Sequence, residues 1–357
     1  MRSFGVEEEM LLVDPDTGAA VALSDAVAGD ADDAPQSELQ RQQVETDTVP
    51  CTSLDELSAQ LRAERRAAAD AAGRKDCQVV ALATSPLAVN PSTTPKDRYL
   101  RMVEEYALTA EEQLTCGCHV HVRIASEEEG VAVLDRIRTW LPVLLAMTAN
   151  SPFWQERDSG YASYRQQVWG RWPSAGPVGL FGTPKSYHET VQAMIESGGL
   201  LDEGMIYFDA RLSRHYPTVE LRTADVCMLA DDALLVAALA RGLVETAARE
   251  WQAGEPPLPV RTEVLRLASW RASRSGLEGE LVHPLTARPV SAEVAVRALL
   301  EHVAPALSDI GDLDTATDLT GRLLSRGNGA MLQRRTYEKT GDLTAVVRDA
   351  VDRTLGD

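Results

Sequence analysis

The chain has 357 residues, of which 44% are hydrophobic and 25% are charged, as in a globular protein with a sizeable core. Its formal net charge is −19, so it lacks the basic excess with which nucleic-acid-binding proteins neutralise phosphates. The five cysteines are too few, and odd in number, for a disulfide scaffold. We read neither a secretion signal nor an apolar stretch of the ~20 residues that cross a bilayer, and we therefore expect a cytoplasmic protein that binds neither nucleic acid nor membrane.

Strands and one helix are predicted for the first part of the chain. Ser53 followed by Glu56 is a capping-box signature, and the helix that starts there is predicted to end at Gly73. Residues 14–35 are acidic and rich in Ala and Gly, and we expect them to form a loop. Strands are predicted at residues 4–13, 43–49 and 78–83.

The middle of the chain continues with the same mixture. Two further capping boxes, Ser126 with Glu129 and Ser186 with Glu189, are predicted to start helices that end near residues 150 and 198. The remaining predictions are a helix at 96–114, strands at 116–124, 204–209 and 217–226, and a functional loop rich in aromatic residues, Gly and Pro at 151–184.

From residue 231 onwards the pattern is helical. Helices are predicted at 231–252, 261–275 and 291–308 and near the C-terminus. Strands in the first two thirds followed by helices in the last third predict an α+β fold. No internal repeat or low-complexity linker divides the sequence, so a single domain over residues 1–357 is expected.

Acidic residues alternate along the first predicted strand. Side chains two apart on a strand share a face, so Glu7 and Glu9 share one face and Glu8 takes the other. Like charges side by side repel, and a bound cation is one way to stabilise such a pair. A solvated edge strand is the plainer interpretation of this segment alone.

Histidines alternate with cysteines on the strand predicted at 116–124. His119, His121 and Arg123 share one face, whereas Cys116 and Cys118 share the opposite one. This alternation argues against a structural zinc site, because the sulfurs and the imidazoles point apart. The cysteines are expected to be small core residues, and the histidines are either metal ligands or polar groups with ordinary partners.

Two more strands carry acids on one face. Glu220 and Arg222 share a face, which fits either a functional pair or a cross-strand salt bridge. Glu45 alternates with the apolar Val44, and Glu38 lies seven residues before it. Each segment alone is a weak signal, but together they place carboxylates and imidazole on one face of a sheet.

Oxygen-rich sites of this kind suit Mg²⁺ or Mn²⁺, which proteins commonly share between carboxylates and substrate phosphates. The set is large enough for about two or three such ions, which would bridge the phosphates of ATP and neutralise charge during transfer of the γ-phosphoryl group. Arg222 on the same face is expected to steady the transferred phosphoryl group or a carboxylate.

These strands resemble the signature strands of the glutamate–cysteine ligase superfamily, in its type 2 or carboxylate–amine ligase branch, and are more distantly similar to glutamine synthetase. The matching segments occur in order over nearly the whole chain. They are GVEEE at 5–9, GCHVH at 117–121, NSPFW at 150–154, GYASYR at 160–165, WGRWP at 169–173, DAR at 209–211, TVELR at 218–222, WRA at 270–272 and RGNG at 326–329.

The resemblance implies a glutamine-synthetase-like curved antiparallel sheet with flanking helices, and a helical C-terminal part. It also implies residue roles. Arg222 and Glu45 become the catalytic candidates, and Arg222 with Arg165 and Arg211 would contact the nucleotide or the acidic substrate. The implied metal ligands are Glu9, Glu38 and Glu45 on one side of the cluster, and Glu7, His119 and Glu220 on the other.

The implied reaction has two steps. ATP phosphorylates a carboxylate, by default the γ-carboxyl of glutamate, and an amine such as cysteine then attacks the acyl phosphate to give an amide, ADP and phosphate. The expected partners are therefore small-molecule carboxylates and amines, and a homo-oligomer is expected. Nothing in the sequence identifies the amine.

Other functions fit the sequence less well. A metal-dependent hydrolase using the His119 and His121 pair would need further histidines on later strands, where at most His215 qualifies. A non-catalytic relative that binds ATP or an amino acid is disfavoured by the complete acidic set, and a guanidino kinase on the same sheet would leave no amide product. No P-loop with the G-x-x-x-x-G-K-[ST] spacing is present.

Overall fold

The computed structural model describes residues 1–28 and 35–356. Its strands, in chain order, are β1 (Phe4–Val13), β2 (Gln36–Ser37), β3 (Gln43–Asp47), β4 (Gln78–Val80), β5 (Gly117–Arg123), β6 (Phe153–Trp154), β7 (Arg157–Asp158), β8 (Ala210–Leu212), β9 (Thr218–Asp225), β10 (Glu280–Val282) and β11 (Pro289–Ser291).

The helices surround the sheet and fill the last third of the chain. They are α1 (Ser24–Val27), α2 (Leu54–Gly73), α3 (Asp97–Tyr106), α4 (Leu108–Glu111), α5 (Glu127–Ile137), α6 (Leu141–Thr148), α7 (Arg165–Trp169), α8 (Pro184–Glu196), α9 (Ala230–Gln252), α10 (Thr262–Ser275), α11 (Ala292–Ile310), α12 (Leu313–Arg326), α13 (Gly329–Thr340) and α14 (Leu343–Leu355).

One antiparallel sheet organises the molecule. Its strands lie in the order β2-β3-β1-β5-β9-β8, and β4 also pairs with β1. The register sets Glu7 opposite His119 and Glu9 opposite Glu45. The predicted ligand strands β3, β1, β5 and β9 are therefore neighbours in the sheet. Directly opposed residues point to the same side of a sheet, so these strands present their polar side chains together. We call the side that carries Glu7 and Glu9 the front face.

The back face of the sheet is apolar. Val6, Cys118 and Leu221 lie there, buried in one continuous core with residues of α6 and α9. Helix α6 is buried along its whole length, as expected for a helix that is apolar all round. The prediction that the cysteines are core residues is confirmed: all five are buried and none forms a disulfide.

Several predicted elements are confirmed. Strand β1 has the predicted bounds, and the Ser53 side chain accepts a hydrogen bond from the Glu56 backbone N–H in a complete capping box. The predicted cap at Ser186 is wrong, because α8 starts earlier and Thr183 caps it, with proline at the first helical position.

Two predicted long helices are each divided in two. The helix predicted at 96–114 breaks at Ala107, whose φ is 48°, between α3 and α4. The helix predicted from Ser126 ends at Ile137, and α6 begins at Leu141. Pro142 has no backbone N–H and so cannot donate the hydrogen bond that would continue the preceding helix. Proline is tolerated in the first turn of a helix, and Pro142 therefore lies at the start of α6.

Several predicted loops contain structure, and one predicted strand is wrong. The segment 151–184 contains the β6–β7 hairpin and α7. The strand predicted at 204–209 is wrong, because these residues contain part of a 3₁₀ turn and the strand β8 begins only at Ala210. Residues 14–28 contain α1 and a β-bridge to Ala20, whereas residues 29–34 of the predicted loop lie outside the described residues. The β10–β11 hairpin interrupts the predicted helical third.

The order of strands and then helices gives the predicted α+β fold. Within the described part of the chain, no helix is both long and apolar enough to cross a bilayer.

Candidate active site

Glu7 is the centre of the front face. Its Oε2 lies 3.2 Å from His119 Nδ1, and its Oε1 lies 2.9 Å from His121 Nε2. Burial alone would raise the pKa of Glu7, but hydrogen bonds to His119 and His121 hold it well below its usual range. Glu7 is therefore a carboxylate anion held by two imidazoles.

The two histidines differ in their surroundings. Burial and the nearby Arg222 charge lower the pKa of His119. Burial also opposes protonation of His121, but its hydrogen bond to Glu7 prevails and raises its pKa. Thr218 Oγ1 lies 3.0 Å from His121 Nδ1 and fixes the ring, so that Nε2 points at Glu7.

Two groups of side chains on the front face are compatible with a bound cation. Glu7, Glu45 and His119 form one, and Glu7, His121 and Glu220 form the other, with potential ligand atoms within 4.8 Å of one another in each. The ligand set implied by the family resemblance did not include His121, although strand alternation placed it on the same face as His119 and left both histidines open as ligands.

The remaining predicted ligands lie beside the first group. Glu9 Oε2 accepts a 2.5 Å hydrogen bond from the Gly117 backbone N–H. Glu38 contacts Glu45, and burial together with the Glu38 charge raises the pKa of Glu45 well above its usual range. Burial and the Glu7 charge also raise the pKa of Asp47 to about 6. Carboxylates are crowded here more closely than they tolerate as anions without a cation.

Two predicted arginines meet at Glu220. Arg211 donates to both oxygens of Glu220, at 2.7 and 3.1 Å, and Arg222 Nη1 donates to Oε1 of the same carboxylate. Burial would raise the pKa of Glu220, but the Arg222 and Arg211 charges lower it to about 2. The salt bridge considered for Glu220 and Arg222 therefore forms, and it lies at the cation-compatible group.

Arg165 lies on the front side of the sheet, against Gly117, but it is buried rather than exposed on a cavity wall. Its side chain is 1% exposed, 3.8 Å from Asp225, and its guanidinium stacks 5.6 Å from the Trp169 ring centroid. A Cβ atom at Gly117 would collide with this guanidinium, which explains why glycine begins β5. A contact between Arg165 and a nucleotide stays a prediction.

Three cavities meet at Glu7. The apolar cavity has a volume of about 470 Å³, and the polar cavity has about 430 Å³. A side cavity of about 140 Å³ borders Glu220 and Arg211. The apolar cavity is lined by Thr48, Pro50, His121, Tyr216 and Pro217, among others. The polar cavity is lined by Glu9, Glu38, Glu45, Arg98, Trp169 and Arg222, among others.

A family model described as glutamate-cysteine ligase family 2 matches residues 3–349. The chain belongs to this family. Its curated relatives include a candidate glutamate--cysteine ligase 2-1 of Streptomyces avermitilis, 56% identical over 100% of both chains. Another is a candidate glutamate--cysteine ligase 2 of Streptomyces coelicolor, 53% identical over 99% of both chains.

Solved structures share the fold of this family member at low sequence identity. A bifunctional glutathione synthetase from Pasteurella multocida has a TM-score of 0.74 at 15% identity over 99% of this chain, which spans 52% of that longer protein. A glutamate–cysteine ligase from Francisella tularensis, solved with AMP, has a TM-score of 0.70 at 13% identity, covering 100% of this chain and 89% of its own. The predicted glutamine-synthetase-like fold is confirmed.

Membership of the family fixes the class of chemistry. The protein is an ATP-dependent carbon–nitrogen ligase of the glutamate–cysteine ligase type. This outcome confirms the predicted enzyme class and favours it over the hydrolase that would use His119 and His121.

Proposed function

We propose that this ligase uses ATP to phosphorylate a carboxylate, with the γ-carboxyl of glutamate as the default, and that an amine then captures the acyl phosphate. One observation carries the proposal. Glu7 belongs to both cation-compatible groups, at the point where the apolar and polar cavities meet. A phosphate chain placed over Glu7 would have room for a nucleoside on one side and for the acid and the amine on the other.

The lining of the two large cavities supports this division. Proline and tyrosine side chains around the apolar cavity offer flat apolar surfaces, which suit a purine base. The polar cavity carries Arg98, Arg211 and Arg222, which suit a negatively charged substrate. Both volumes lie in the range of small-molecule sites.

The side chains present fit Mg²⁺ or Mn²⁺. His119 Nε2 is buried without a hydrogen-bond partner among the described residues, and the crowded carboxylates around Glu45 need a positive charge. The residues that would hold the ions are Glu7, Glu9, Glu38, Glu45, His119 and Glu220, with His121 added from the geometry. Bound there, such ions would neutralise phosphate charge.

In the first step, an oxygen of the substrate carboxylate forms a bond to the γ-phosphorus, and the bond from that phosphorus to ADP breaks. Arg222 and Arg211 stand beside this point, and their N–H groups would bind the oxygens on which charge accumulates. Arg222 is held over the Trp169 ring, 5.8 Å from its centroid, which fixes its approach to the polar cavity.

In the second step, the amine nitrogen bonds to the acyl carbon, the bond from carbon to the phosphate oxygen breaks, and phosphate leaves as the amine loses a proton. An acyl phosphate already reacts with amines, so the main task of the protein is to orient the two groups. Glu45 lines the polar cavity where the amine would approach and stays a catalytic candidate.

We also propose a cytoplasmic site of action and a homo-oligomeric assembly. Five buried free thiols support a reducing compartment. The oligomeric state is checked by light scattering of the purified chain.

The test is an incubation of purified protein with ATP, Mg²⁺ and a panel of carboxylates and amines, followed by measurement of phosphate release and product mass. Glu9→Gln should abolish product formation, whereas the exposed Glu189→Gln should not. Turnover without ATP would support the hydrolase instead, and ATP binding without turnover on any pair would support a non-catalytic relative.

A further inference from the structure

Behind the acidic front face lies a buried ion pair between Glu8 and Arg65. Glu8 stands between Glu7 and Glu9 in β1, but its side chain points to the back face, where it is 2% exposed. Arg65 of α2 donates to both of its oxygens, at 2.8 and 2.6 Å. Strand alternation had placed Glu8 on the face opposite Glu7 and Glu9, and Arg65 supplies the opposite charge on that face.

The remaining donors of Arg65 reach three backbone carbonyls. They bind Cys227 O at 2.7 Å, Met228 O at 3.2 Å and Thr354 O at 3.1 Å. All five N–H groups of the guanidinium are thus used. Thr354 also accepts, through its hydroxyl, a 2.9 Å hydrogen bond from Ala81 N, just after β4. We call Glu8, Arg65 and these three carbonyls the rear clamp.

The rear clamp joins strands that do not touch each other. β1 and β9 are separated by β5 in the sheet, yet Arg65 bonds Glu8 in β1 and the two residues that follow β9 by two and three positions. β1 carries Glu7 and Glu9 on the front face, and β9 carries Glu220 and Arg222. One side chain therefore ties together, from behind, the two strands whose polar groups face each other across β5.

Stability alone does not account for such a pair. A buried ion pair loses hydration at both charges, and replacing it with apolar side chains of similar volume is often neutral or stabilising. The front face, however, collects mutually repelling carboxylates. A slip of β1 by one residue would move Glu7 and Glu9 into the core and Glu8 to the front.

We infer that Arg65, acting through Glu8, is a positioning residue that fixes the spacing and register of the front-face groups on β1 relative to those on β9. The inference rests on the proposed metal-dependent ligation, since it concerns how well the front face is arranged to bind cations and ATP. The rear clamp also makes the end of α14 part of the scaffold of the active site.

The informative variant removes both charges together, Glu8→Met with Arg65→Met. Three quantities are measured: the thermal unfolding midpoint, Mn²⁺ binding without nucleotide by electron paramagnetic resonance, and kcat and KM for ATP. We expect the midpoint to fall, because Arg65→Met also removes the donor to three buried carbonyls. The Mn²⁺ dissociation constant and the KM for ATP, measured well below that midpoint, should rise by about tenfold or more. The control is Arg62→Met, which removes a partly exposed arginine one turn earlier on α2 and should leave all three unchanged.

A folded double variant with the parent's Mn²⁺ affinity and KM would overturn the inference. If the double variant does not fold, Arg65→Lys decides, because lysine keeps the positive charge but cannot reproduce the planar set of five donors. Weakened Mn²⁺ binding in folded Arg65→Lys supports positioning, and unchanged binding overturns it. A parent protein that neither binds Mn²⁺ nor condenses substrates with ATP would overturn the proposed function and, with it, this inference.

Discussion

Glu7 Oε1 lies 2.9 Å from His121 Nε2, although these residues are not opposite each other in the sheet. Glu7 is paired in register with His119, and His121 with Gly5, so Glu7 reaches His121 diagonally along the front face. This diagonal contact links the two cation-compatible groups and makes His121 part of the site.

We predict that His121→Ala raises the Mg²⁺ or Mn²⁺ concentration needed for half-maximal activity by at least about tenfold, because one of the two groups loses a ligand. The measurement is the rate of phosphate release as a function of metal concentration. His188→Ala is the control, since His188 is exposed and forms an ion pair with the exposed Glu127 away from the front face. An unchanged metal dependence in His121→Ala would show that His121 is not a metal ligand and only stabilises the Glu7 carboxylate.

Tyr216 tests the assignment of the nucleotide to the apolar cavity. Its side chain is 65% exposed at the rim of that cavity, and its ring lies edge-on to His121. We predict that Tyr216→Ala raises the KM for ATP by about tenfold, the cost of losing about 1.4 kcal/mol of base stacking, and leaves the KM for the carboxylate unchanged.

The reciprocal control is Arg98→Met on the wall of the polar cavity. It should raise the KM for the carboxylate or the amine and leave that for ATP unchanged. If the two variants show the opposite pattern, the two cavities have been assigned the wrong way round.

Gly117 is predicted to tolerate no side chain. Its Cβ would enter the space of the Arg165 guanidinium and approach His119 Nε2 at 3.0 Å. Gly117→Ala should lower the free energy of unfolding by about 1–3 kcal/mol and reduce activity, as urea denaturation and the phosphate assay would detect. In Gly321→Ala, within α12, the new methyl group meets no atom within 4 Å, so this variant should be slightly more stable than the parent. Equal stability of both variants would contradict the close packing around Arg165.

His302 should make the fold sensitive to mild acid. Burial against Trp140, whose ring lies 4.2 Å away, lowers the pKa of His302 to about 4. A histidine with a depressed folded-state pKa contributes stability above its unfolded pKa of about 6.5, and this contribution is lost as the pH falls towards 4. We expect a loss of up to about 3 kcal/mol from this group.

The measurement compares urea denaturation of the parent and of His302→Phe at pH 7.5 and pH 4.5. The phenylalanine keeps a ring against Trp140 but cannot be protonated, so the variant should lose less stability at low pH than the parent. Parallel loss in both proteins would show that other groups dominate the acid response.

Strand alternation was sufficient to predict the front face. The two-residue period of β1 and β5 separated Glu7, Glu9 and the histidines from Glu8 and the cysteines, and the structure places them accordingly. The period is a property of the extended backbone, so it needs no knowledge of neighbouring strands. The capping box at Ser53 was equally local.

Features that depend on distant residues could not be predicted in the same way. The partner of Glu8 is 57 positions away, and the burial of Arg165 depends on Gly117 and Asp225 coming together in the folded chain. The break at Ala107 depends on a positive φ at a residue that carries no local signal for it. Only the fold brings these groups into contact.

The sharing of Glu7 by the two cation-compatible groups has a consequence for any attempt to measure the substrates one at a time. A ligand that draws the Glu7 carboxylate towards His119 weakens the contact between Glu7 and His121, and a ligand that draws it towards His121 weakens the contact with His119. Linkage is reciprocal, so whatever factor the nucleotide imposes on the affinity for the acid, the acid must impose on the affinity for the nucleotide. Affinities measured with one ligand alone would therefore describe a different site from the one that operates when the cavities on both sides are filled.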